Sequence, residues 1–192
     1  MNVSEFLPSE IVNIQRAKQV LMTRLVEFNI TLAKLGSEYR NGYFVSGGCF
    51  ASFLQQEEPK DIDIWFTHED VAQRVIELYT NDPSYMNEVA VWDEKYRSAV
   101  KHPNGMMITE NAVTLKNGIQ LITKYYDTPK VVRSTFDYKH CMPYYNSRDD
   151  KLYISREQYN CCVNKSLVIN NSSRLTTWRE SKFKLRGYNY VK

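Results

Sequence analysis

The stretch that decides the fold is FVSGGCFASFLQQEEPKDIDIWF, residues Phe44 to Phe66. It begins with a strand-like apolar run, turns at Gly47-Gly48 and continues as a short helix from Cys49 to Leu54. After a charged loop, polar and apolar residues alternate from Asp61 to Phe66, which predicts a second strand. Because side chains on a strand alternate between its two faces, both aspartates of this strand are expected on the same face.

Each part of this stretch has a physical use in binding phosphate and metal. Glycines lack a Cβ atom, so the backbone at Gly47 and Gly48 can approach a ligand closely. A helix that starts just after them points free N–H groups toward an anion such as phosphate. The carboxylates of Asp61 and Asp63 offer oxygen ligands, which suit Mg²⁺. Two such ions can bridge a triphosphate and activate an attacking hydroxyl, so the stretch predicts a site for a nucleoside triphosphate (NTP).

The order of these motifs resembles the glycine-rich turn and paired acids of the DNA-polymerase-beta-like nucleotidyltransferases. Ser46-Gly47-Gly48 is followed by Asp61-Ile62-Asp63, with thirteen residue steps from the second glycine to the first acid. The resemblance is specific within this stretch and loose elsewhere, and the whole chain is similar to small nucleotidyltransferase-like proteins of bacteriophages and large DNA viruses. It implies an α+β fold with a mixed β-sheet flanked by helices. It also implies an NTP donor such as ATP, Mg²⁺ or Mn²⁺ as cofactor, and an acceptor hydroxyl on RNA, a small molecule or a protein.

The resemblance also implies roles for individual residues. The turn from Ser46 to Gly48 would cradle the β- and γ-phosphates, and Asp61 and Asp63 would bind the metal ions. Cys49 is a further nucleotide-binding candidate, although the family usually has Ser, Ala or Arg there. This departure puts one side-chain phosphate contact in doubt and leaves the metal site intact.

A third carboxylate is implied on a strand beside the paired acids, where it would help to draw the proton from the acceptor. Asp137 is the preferred candidate for this catalytic and metal-binding role, because it lies in a strand-like run among aromatic residues. The strand predicted at Ile119 to Thr123 is the rival location, but it offers Gln120 where an acid is expected. Asp127 is a poorer candidate in a predicted loop. If Gln120 occupies the third position, the site is weakened or inactive.

The distribution of charge adds a second signal. The net charge of +3 is mild, but the region from Lys151 onward has nine Lys or Arg and two acidic residues, whereas Gln55 to Glu94 is acidic. A basic region beside an acidic one indicates a polyanion handled next to a metal site. Lys182 and Lys184 are the nucleotide-binding candidates, with further cations at Arg174, Arg179 and Arg186. A solvated basic helix face is the alternative.

The chain is predicted to have three segments. Residues 1–40 form an N-terminal helical segment packed on the core, residues 41–154 the nucleotidyltransferase-like core, and residues 155–192 a helical basic C-terminal extension. Apolar residues at steps of three and four predict one long helix that is capped by Ser9 and stops at Gly36. Further strands are predicted at Met106–Thr109, Ala112–Leu115, Ile119–Thr123, Phe136–Tyr145 and Lys151–Ile154, with Asn117-Gly118 as a tight hairpin turn. Further helices are predicted at Thr67–Tyr79, Pro129–Ser134, Ser155–Ser166 and Arg174–Lys184, and Thr67 with Asp70 forms a capping-box pattern for the first of them.

Composition excludes several other classes of protein. No signal peptide is evident at the start, and no stretch approaches the ~20 apolar residues that span a bilayer. The four cysteines show no zinc-ligand spacing, so we expect free thiols in a reducing cytoplasm, the host cytoplasm if the protein is viral. The pair His140-Cys141 has no matching partners and is expected to be ordinary packing. We expect no membrane partner, and the sequence does not fix the oligomeric state.

Two main hypotheses follow. The first is a metal-dependent nucleotidyltransferase that transfers a nucleoside monophosphate from NTP to a hydroxyl on an RNA end, a small molecule or a protein. The second is a catalytically silent module of the same fold that binds nucleic acid or a host protein, which Cys49, Gln120 and the basic C-terminal region favour. An enzyme that adds nucleotides to a host protein or tRNA shares the same core, so the sequence does not separate it from the first hypothesis.

Overall fold

The structure is a computed structural model that describes residues 5–92 and 105–191. Residues 1–4, 93–104 and 192 lie outside the described residues, and they include the last two residues of the acidic region. The helices are α1 (Pro8–Arg24), α2 (Val26–Leu35), α3 (Ser37–Arg40), α4 (Cys49–Leu54), α5 (Glu69–Asn81), α6 (Pro83–Met86), α7 (Pro129–Ser134), α8 (Arg156–Val163) and α9 (Thr177–Lys184). The strands are β1 (Tyr43–Ser46), β2 (Ile62–Phe66), β3 (Ala112–Thr114), β4 (Ile119–Ile122), β5 (Tyr144–Asn146), β6 (Lys151–Tyr153), β7 (Ser166–Leu167) and β8 (Asn189–Tyr190).

Across the described residues, the main sheet has six strands in the order β3-β4-β2-β1-β5-β6. β2 and β4 are parallel, and the other neighbouring pairs are antiparallel. The apolar residues of β2 are buried on one face of the sheet, whereas Asp63 and Trp65 are half-buried on the other. This mixed sheet flanked by helices confirms the predicted α+β fold class.

The N-terminal helix is divided in two. The predicted single helix breaks at Leu25, where the backbone turns to φ −93° and ψ 1° between α1 and α2. Ser9 does not cap α1, so this part of the prediction is wrong. The helix instead begins at Pro8, whose fixed φ suits a first helical position, and the Glu10 carboxylate accepts the Leu7 N–H at 2.7 Å. The buried face that was predicted from periodicity packs into the core through Ile14, Ala17, Leu21, Leu25, Phe28 and Leu32.

Two predictions around the middle of the chain have different outcomes. The hairpin between β3 and β4 is confirmed, because Leu115 N–H donates to Ile119 O at 2.7 Å and Gly118 adopts φ 83° in the turn. The strand predicted at Met106–Thr109 is wrong, since this segment makes only isolated bridges, such as that between Ile108 and Val113. A short run of apolar residues is not enough to specify a strand, because the same residues can be buried without forming a continuous ladder.

The strand predicted from Phe136 to Tyr145 is also wrong over most of its length. Lys139–Cys141 forms a single 3-10 turn, and the strand β5 begins only at Tyr144. Pro143 precedes it and has no N–H to donate to a ladder, which explains the late start. The cap predicted at Thr67 is wrong as well, because its hydroxyl donates to Gly42 O at 3.0 Å and α5 begins at Glu69.

The C-terminal region folds back onto the core. A helix opens at Ser155 as predicted, and the Ser155 hydroxyl caps α8 by accepting the Gln158 N–H at 3.2 Å. The parallel pairing of β7 with β8 was not predicted, and it returns the chain beside α8. Between these strands, α9 is fixed by Phe183, which is buried against His140 with ring centroids 4.4 Å apart. The division of the chain into segments at residues 40 and 154 stays a prediction. Residues from both flanking segments contribute to the same core cluster as the middle segment.

No helix within the described ranges is both long and apolar enough to cross a membrane.

Candidate active site

Two aspartates at the start of β2 form the centre of the site. Asp61 precedes the strand, Asp63 lies within it, and both line a cavity of about 400 Å³. Burial and the nearby Asp61 carboxylate raise the pKa of Asp63 to about 7, while Lys182 and Arg179 oppose this shift. The site therefore concentrates negative charge where water solvates it poorly.

The two glycines of the turn have different surroundings. Gly47 adopts φ 129°, and a Cβ atom there would lie 2.6 Å from Asp63 Oδ2, so glycine is needed to let the carboxylate pack against the turn. Gly48 adopts φ −68°, which any residue accepts, and a Cβ there would meet no protein atom within 4 Å. Gly48 also lines the cavity. The open space at Gly48 is thus a cradle that a side chain would fill.

The residues on either side of the glycines are buried. The Ser46 hydroxyl bonds to Pro143 O at 2.9 Å and lies 3.3 Å from Cys141 O, behind the turn and outside the cavity lining. Cys49 reaches the cavity, and burial together with the Asp63 charge raises the pKa of its thiol. The structure therefore brings Cys49 to the acids and leaves Ser46 as a support for the turn.

An amide occupies the strand beside the paired acids. β4 runs parallel to β2, and Gln120 is the Cα partner of Asp63. Its Nε2 donates to Asp61 Oδ1 at 3.3 Å. The neighbouring strand thus places Gln120 where the family resemblance implies the third acid. Asp127 is exposed and lies outside the cavity.

Asp137 reaches the same cavity but is engaged by a cation. Its side chain is 2% exposed, and its carboxylate forms a two-pronged ion pair with Arg179, in which Nη2 donates to Oδ1 at 3.1 Å and Nε to Oδ2. Oδ1 also accepts the Tyr138 N–H at 3.0 Å. In the part of the chain that the structure describes, no three His, Cys, Asp or Glu residues form a group that could hold a metal. A metal-binding role for Asp137 stays a prediction.

Cations from the C-terminal region form one wall of the cavity. Arg174, Arg179, Lys182 and Arg186 all line it. Burial and the neighbouring Arg186 and Arg179 lower the pKa of Lys182. The three last residues are three and four positions apart, so they follow one side of the helix and its continuation. Arg174, Arg179 and Arg186 were already among the candidate cations of the sequence analysis, and the structure brings all three to the cavity.

Lys184 does not join this wall. Residues two apart on a helix point about 200° away from each other, so Lys182 and Lys184 lie on different sides of α9. Lys184 forms an ion pair with Glu180 at 2.6 Å, and its Nζ lies 5.6 Å from the centre of the Tyr190 ring. The structure places this predicted nucleotide-binding residue outside the cavity lining.

Sequence reasoning missed the aromatic lining of the cavity. Trp65, Tyr125 and Phe136 all contribute to it. Trp65 shares the face of β2 that bears the aspartates, and the alternation Asp-Ile-Asp-Ile-Trp contains the signal for this. Tyr125 and Phe136 lie in loops distant in sequence, and no local pattern identifies them.

The part of the chain that contains the glycine turn and the acid pair matches a family model. It is the model of the Gabija anti-defense 2 (Gad2) family, and it matches residues 19–165, which is more than half of the chain. The chain belongs to the Gad2 family. The range matched by the Gad2 model includes the glycine turn, Asp61, Asp63, Gln120 and Asp137, whereas the basic wall from Arg174 onward follows it.

Solved structures of CCA-adding enzymes are similar to this Gad2 family protein. The Thermotoga maritima CCA-adding enzyme complexed with tRNA superposes with a TM-score of 0.53 at 16% identity, over 88% of this chain and 39% of that chain. Apo form II of a CCA-adding enzyme gives 0.56 at 17% identity, over 90% and 44%. Apo form I gives 0.53 at 17% identity, over 88% and 42%. A comparison with curated proteins found no match.

These comparisons establish the fold. The six-stranded mixed sheet flanked by helices is similar to that of CCA-adding nucleotidyltransferases, which confirms the fold that the sequence resemblance implies. The chain spans about two fifths of the length of these enzymes. At this level of identity the similarity concerns the fold, and function has to be argued from the site.

Proposed function

We propose that this protein is a metal-dependent nucleotidyltransferase that transfers a nucleoside monophosphate from NTP to a hydroxyl acceptor. The observation that carries the proposal is the packing of Asp63 against Gly47, beside Asp61 and facing the cations of α9. Like charges held close together in a cavity destabilise a fold, and perturbed carboxylates in a cavity are characteristic of functional sites. The similarity of the fold to that of nucleotidyltransferases supports the same proposal.

The acid pair fits a divalent cation. Its donors are oxygens, and the pKa of Asp63 is raised by burial and by the neighbouring Asp61 carboxylate, both of which a bound cation would offset. Gln120 can add a neutral oxygen, because rotation of its side-chain amide exchanges the positions of Nε2 and Oε1 beside Asp61. When bound, Mg²⁺ or Mn²⁺ would polarise the phosphoryl oxygens and favour in-line displacement.

The protein's own residues would hold the NTP. The space left at Gly48 admits phosphate oxygens close to the backbone. Arg179, Lys182 and Arg186 supply positive charge to the triphosphate on the facing wall. Asp137 would act as a positioning residue, since its ion pair with Arg179 fixes the direction of the guanidinium group.

The acceptor and the biological role are further parts of the proposal. One structural neighbour is a CCA-adding enzyme complexed with tRNA, which supports RNA as one acceptor class, alongside proteins and small molecules. The description of the Gad2 family supports an action against the Gabija defence. We place this action in a host cytoplasm, as part of a viral counter-defence. Modification of a host macromolecule by nucleotide transfer would account for both features.

Nucleotide transfer is the first measurement. Purified protein is mixed with Mg²⁺ or Mn²⁺, each α-labelled NTP in turn, and total RNA or cell lysate. We expect label on a macromolecule, and we expect the double variant Asp61→Asn with Asp63→Asn to lose at least about 10³-fold in rate. Asp70→Asn, on the exposed surface of α5, is the matched control and should transfer normally. Unchanged transfer by a folded double variant would contradict the proposal.

A catalytically silent binding module is the second candidate. It is favoured by Gln120 at the expected place of the third acid and by the pairing of Asp137 with Arg179. Such a module would bind nucleic acid or a host protein and would label no acceptor with any NTP. Calorimetry with NTP separates the two: an enzyme binds NTP more tightly with Mg²⁺, whereas a silent module that has lost the site binds none.

A further inference from the structure

The cavity has an aromatic side as well as a charged one. Trp65 and Phe136 are half-buried in its lining, and Tyr125 is 56% exposed at its edge. Exposed or half-buried rings around a polar cavity provide a surface on which planar ligands stack. The proposed metal and phosphate contacts use none of these three rings. The rings are therefore available to contact another part of the substrate.

The order of groups along β2 matches the order of groups in a nucleotide. Asp61, Asp63 and Trp65 project from the same face, and a strand rises about 3.3 Å per residue, so the indole lies roughly 7 Å beyond the second acid. A triphosphate bound at the acids and the basic wall would therefore direct its nucleoside toward Trp65. The triphosphate would then lie at the acids and the basic wall, and the base of the same nucleotide would lie at the aromatic side.

The indole is held in a fixed orientation. Trp65 Nε1 donates to Ser46 O at 3.2 Å, and the ring packs beside Phe44, with centroids 6.4 Å apart and planes 14° apart. Phe136 is a second neighbour of the indole, with ring centroids 5.5 Å apart and planes tilted by 46°. A ring that is already ordered loses little conformational freedom when a base stacks on it.

The aromatic side has few groups that could read the edge of a base. The indole N–H is used by Ser46, and the Thr135 hydroxyl donates to Val132 O at 2.7 Å. Phe136 has no polar atom, and the Tyr125 side chain lies largely in water. Stacking on such a surface depends on the face of the base, which all four bases possess.

From these contacts we infer that Trp65, Phe136 and Tyr125 form a stacking platform for the nucleobase of the NTP, and that this platform accepts all four bases. The inference rests on the proposed function only in that the cavity binds NTP. It assigns the protein a broad donor range, set by the triphosphate and the face of the base.

Calorimetry with two kinds of probe tests the platform on the full chain in Mg²⁺. The probes are the α,β-methylene analogues of ATP, GTP, CTP and UTP, which bind without transfer, and inorganic tripolyphosphate, which has no base. Stacking contributes about 5- to 150-fold in affinity per base. We therefore expect the four analogues to bind within about tenfold of one another, and each at least about fivefold tighter than tripolyphosphate.

Variants identify the rings that contribute. Trp65→Leu and Tyr125→Ala should each weaken the analogues by about fivefold or more and leave tripolyphosphate unchanged. Trp65→Phe retains a ring and should recover most of the loss. Tyr125 is exposed, so its variant remains informative even if Trp65→Leu does not fold. Tyr153→Ala, which removes a ring on β6 outside the cavity, is the matched control.

The outcomes separate this inference from the proposed function. Equal affinity for tripolyphosphate and the analogues overturns the platform, as does normal binding by both the Trp65→Leu and Tyr125→Ala variants. Preference for one base by more than about tenfold overturns its base tolerance. Stacking without any transfer to an acceptor supports the platform and contradicts the proposed enzyme. Transfer without a contribution from the rings supports the proposed enzyme and contradicts the platform.

Discussion

Gly47 and Gly48 are neighbours in one turn, yet an added methyl group would meet very different surroundings at the two positions. At Gly47 it would collide with Asp63 Oδ2, in a backbone conformation that other residues rarely adopt. At Gly48 it would enter open space in an ordinary helical conformation. The protein itself therefore requires the first glycine, whereas only a ligand would require the second.

The matched pair Gly47→Ala and Gly48→Ala tests this difference. We expect Gly47→Ala to lower the free energy of unfolding by about 1–3 kcal/mol, because of backbone strain and the displaced carboxylate. Gly48→Ala should change it by less than about 0.5 kcal/mol but weaken NTP binding, since the methyl group fills the cradle. Urea unfolding and calorimetry measure the two effects. Normal NTP affinity in Gly48→Ala would show that no phosphate lies there.

Gln120 offers a second test at a single residue, because it lies opposite Asp63 and touches Asp61. If the third ligand position is on β4, Gln120→Glu adds a carboxylate there and should strengthen Mn²⁺ binding by about tenfold or more. Gln120→Leu, of similar size, should weaken it. Metal titration followed by calorimetry checks both variants. Equal affinities in the three proteins would place the third ligand elsewhere.

At the scale of secondary-structure elements, α9 determines which charges face the acids. Its buried Phe183 packs on His140, and the pairing of β7 with β8 closes the chain behind it. Arg179 and Lys182 then lie on the cavity side, and Lys184 on another side with Glu180. The orientation of α9 thus places Arg179 and Lys182 together on the side of the helix that lines the cavity.

Lys182→Ala and Lys184→Ala compare the two sides of α9 with the same chemical change. Loss of a charged contact to phosphate is expected to weaken NTP binding by about ten- to a hundredfold in Lys182→Ala. Lys184→Ala should bind NTP within about twofold of the original protein, because its cation is outside the cavity. Calorimetry in Mg²⁺ measures both. Equal losses would indicate a diffuse electrostatic effect of the whole basic region.

At the scale of the whole molecule, a buried histidine links acid stability to packing. Burial lowers the pKa of His140 to about 3, and neither ring nitrogen has a hydrogen-bond partner among the described residues. Asp137 opposes this shift, whereas Arg179 and Arg186 add to it. Between pH 6.5 and about 3, the unfolded chain therefore binds a proton on His140 and the folded protein does not. Protonation of His140 thus favours the unfolded chain, and the free energy of unfolding decreases as the pH is lowered through this range.

His140→Phe should remove this pH dependence. Relative to the original protein, we expect the variant to gain roughly 2 kcal/mol in unfolding free energy between pH 7 and pH 5. The difference between the proteins is the quantity to measure, because protonation of Asp63, whose pKa is raised, stabilises the fold as pH falls through 7 and opposes the trend. His68→Asn, at an exposed position, is the control. Parallel pH profiles for His140→Phe and the original protein would contradict the assignment.

The sequence by itself determined the elements with a strong local period. β1, α4 and β2 follow their predicted order, and the Asn117-Gly118 hairpin is present, because alternation, helical spacing and turn residues act within a few positions of the chain. The same local logic placed Asp61 and Asp63 on one face. The fold class and the acid pair were therefore predictable from residues 44–66 and their surroundings.

Only the tertiary structure decided what surrounds the acids. Asp137 is brought to Arg179 across 42 positions of sequence, and Gln120 to Asp61 across 59. Residues 136–143 do not form the predicted strand, because Pro143 cannot donate to a ladder and the segment contacts the C-terminal region. Lys184 lies on a different side of α9 from Lys182 because of the helical period. Such pairings depend on which distant surfaces meet once the apolar core closes, and no short window of sequence contains that information.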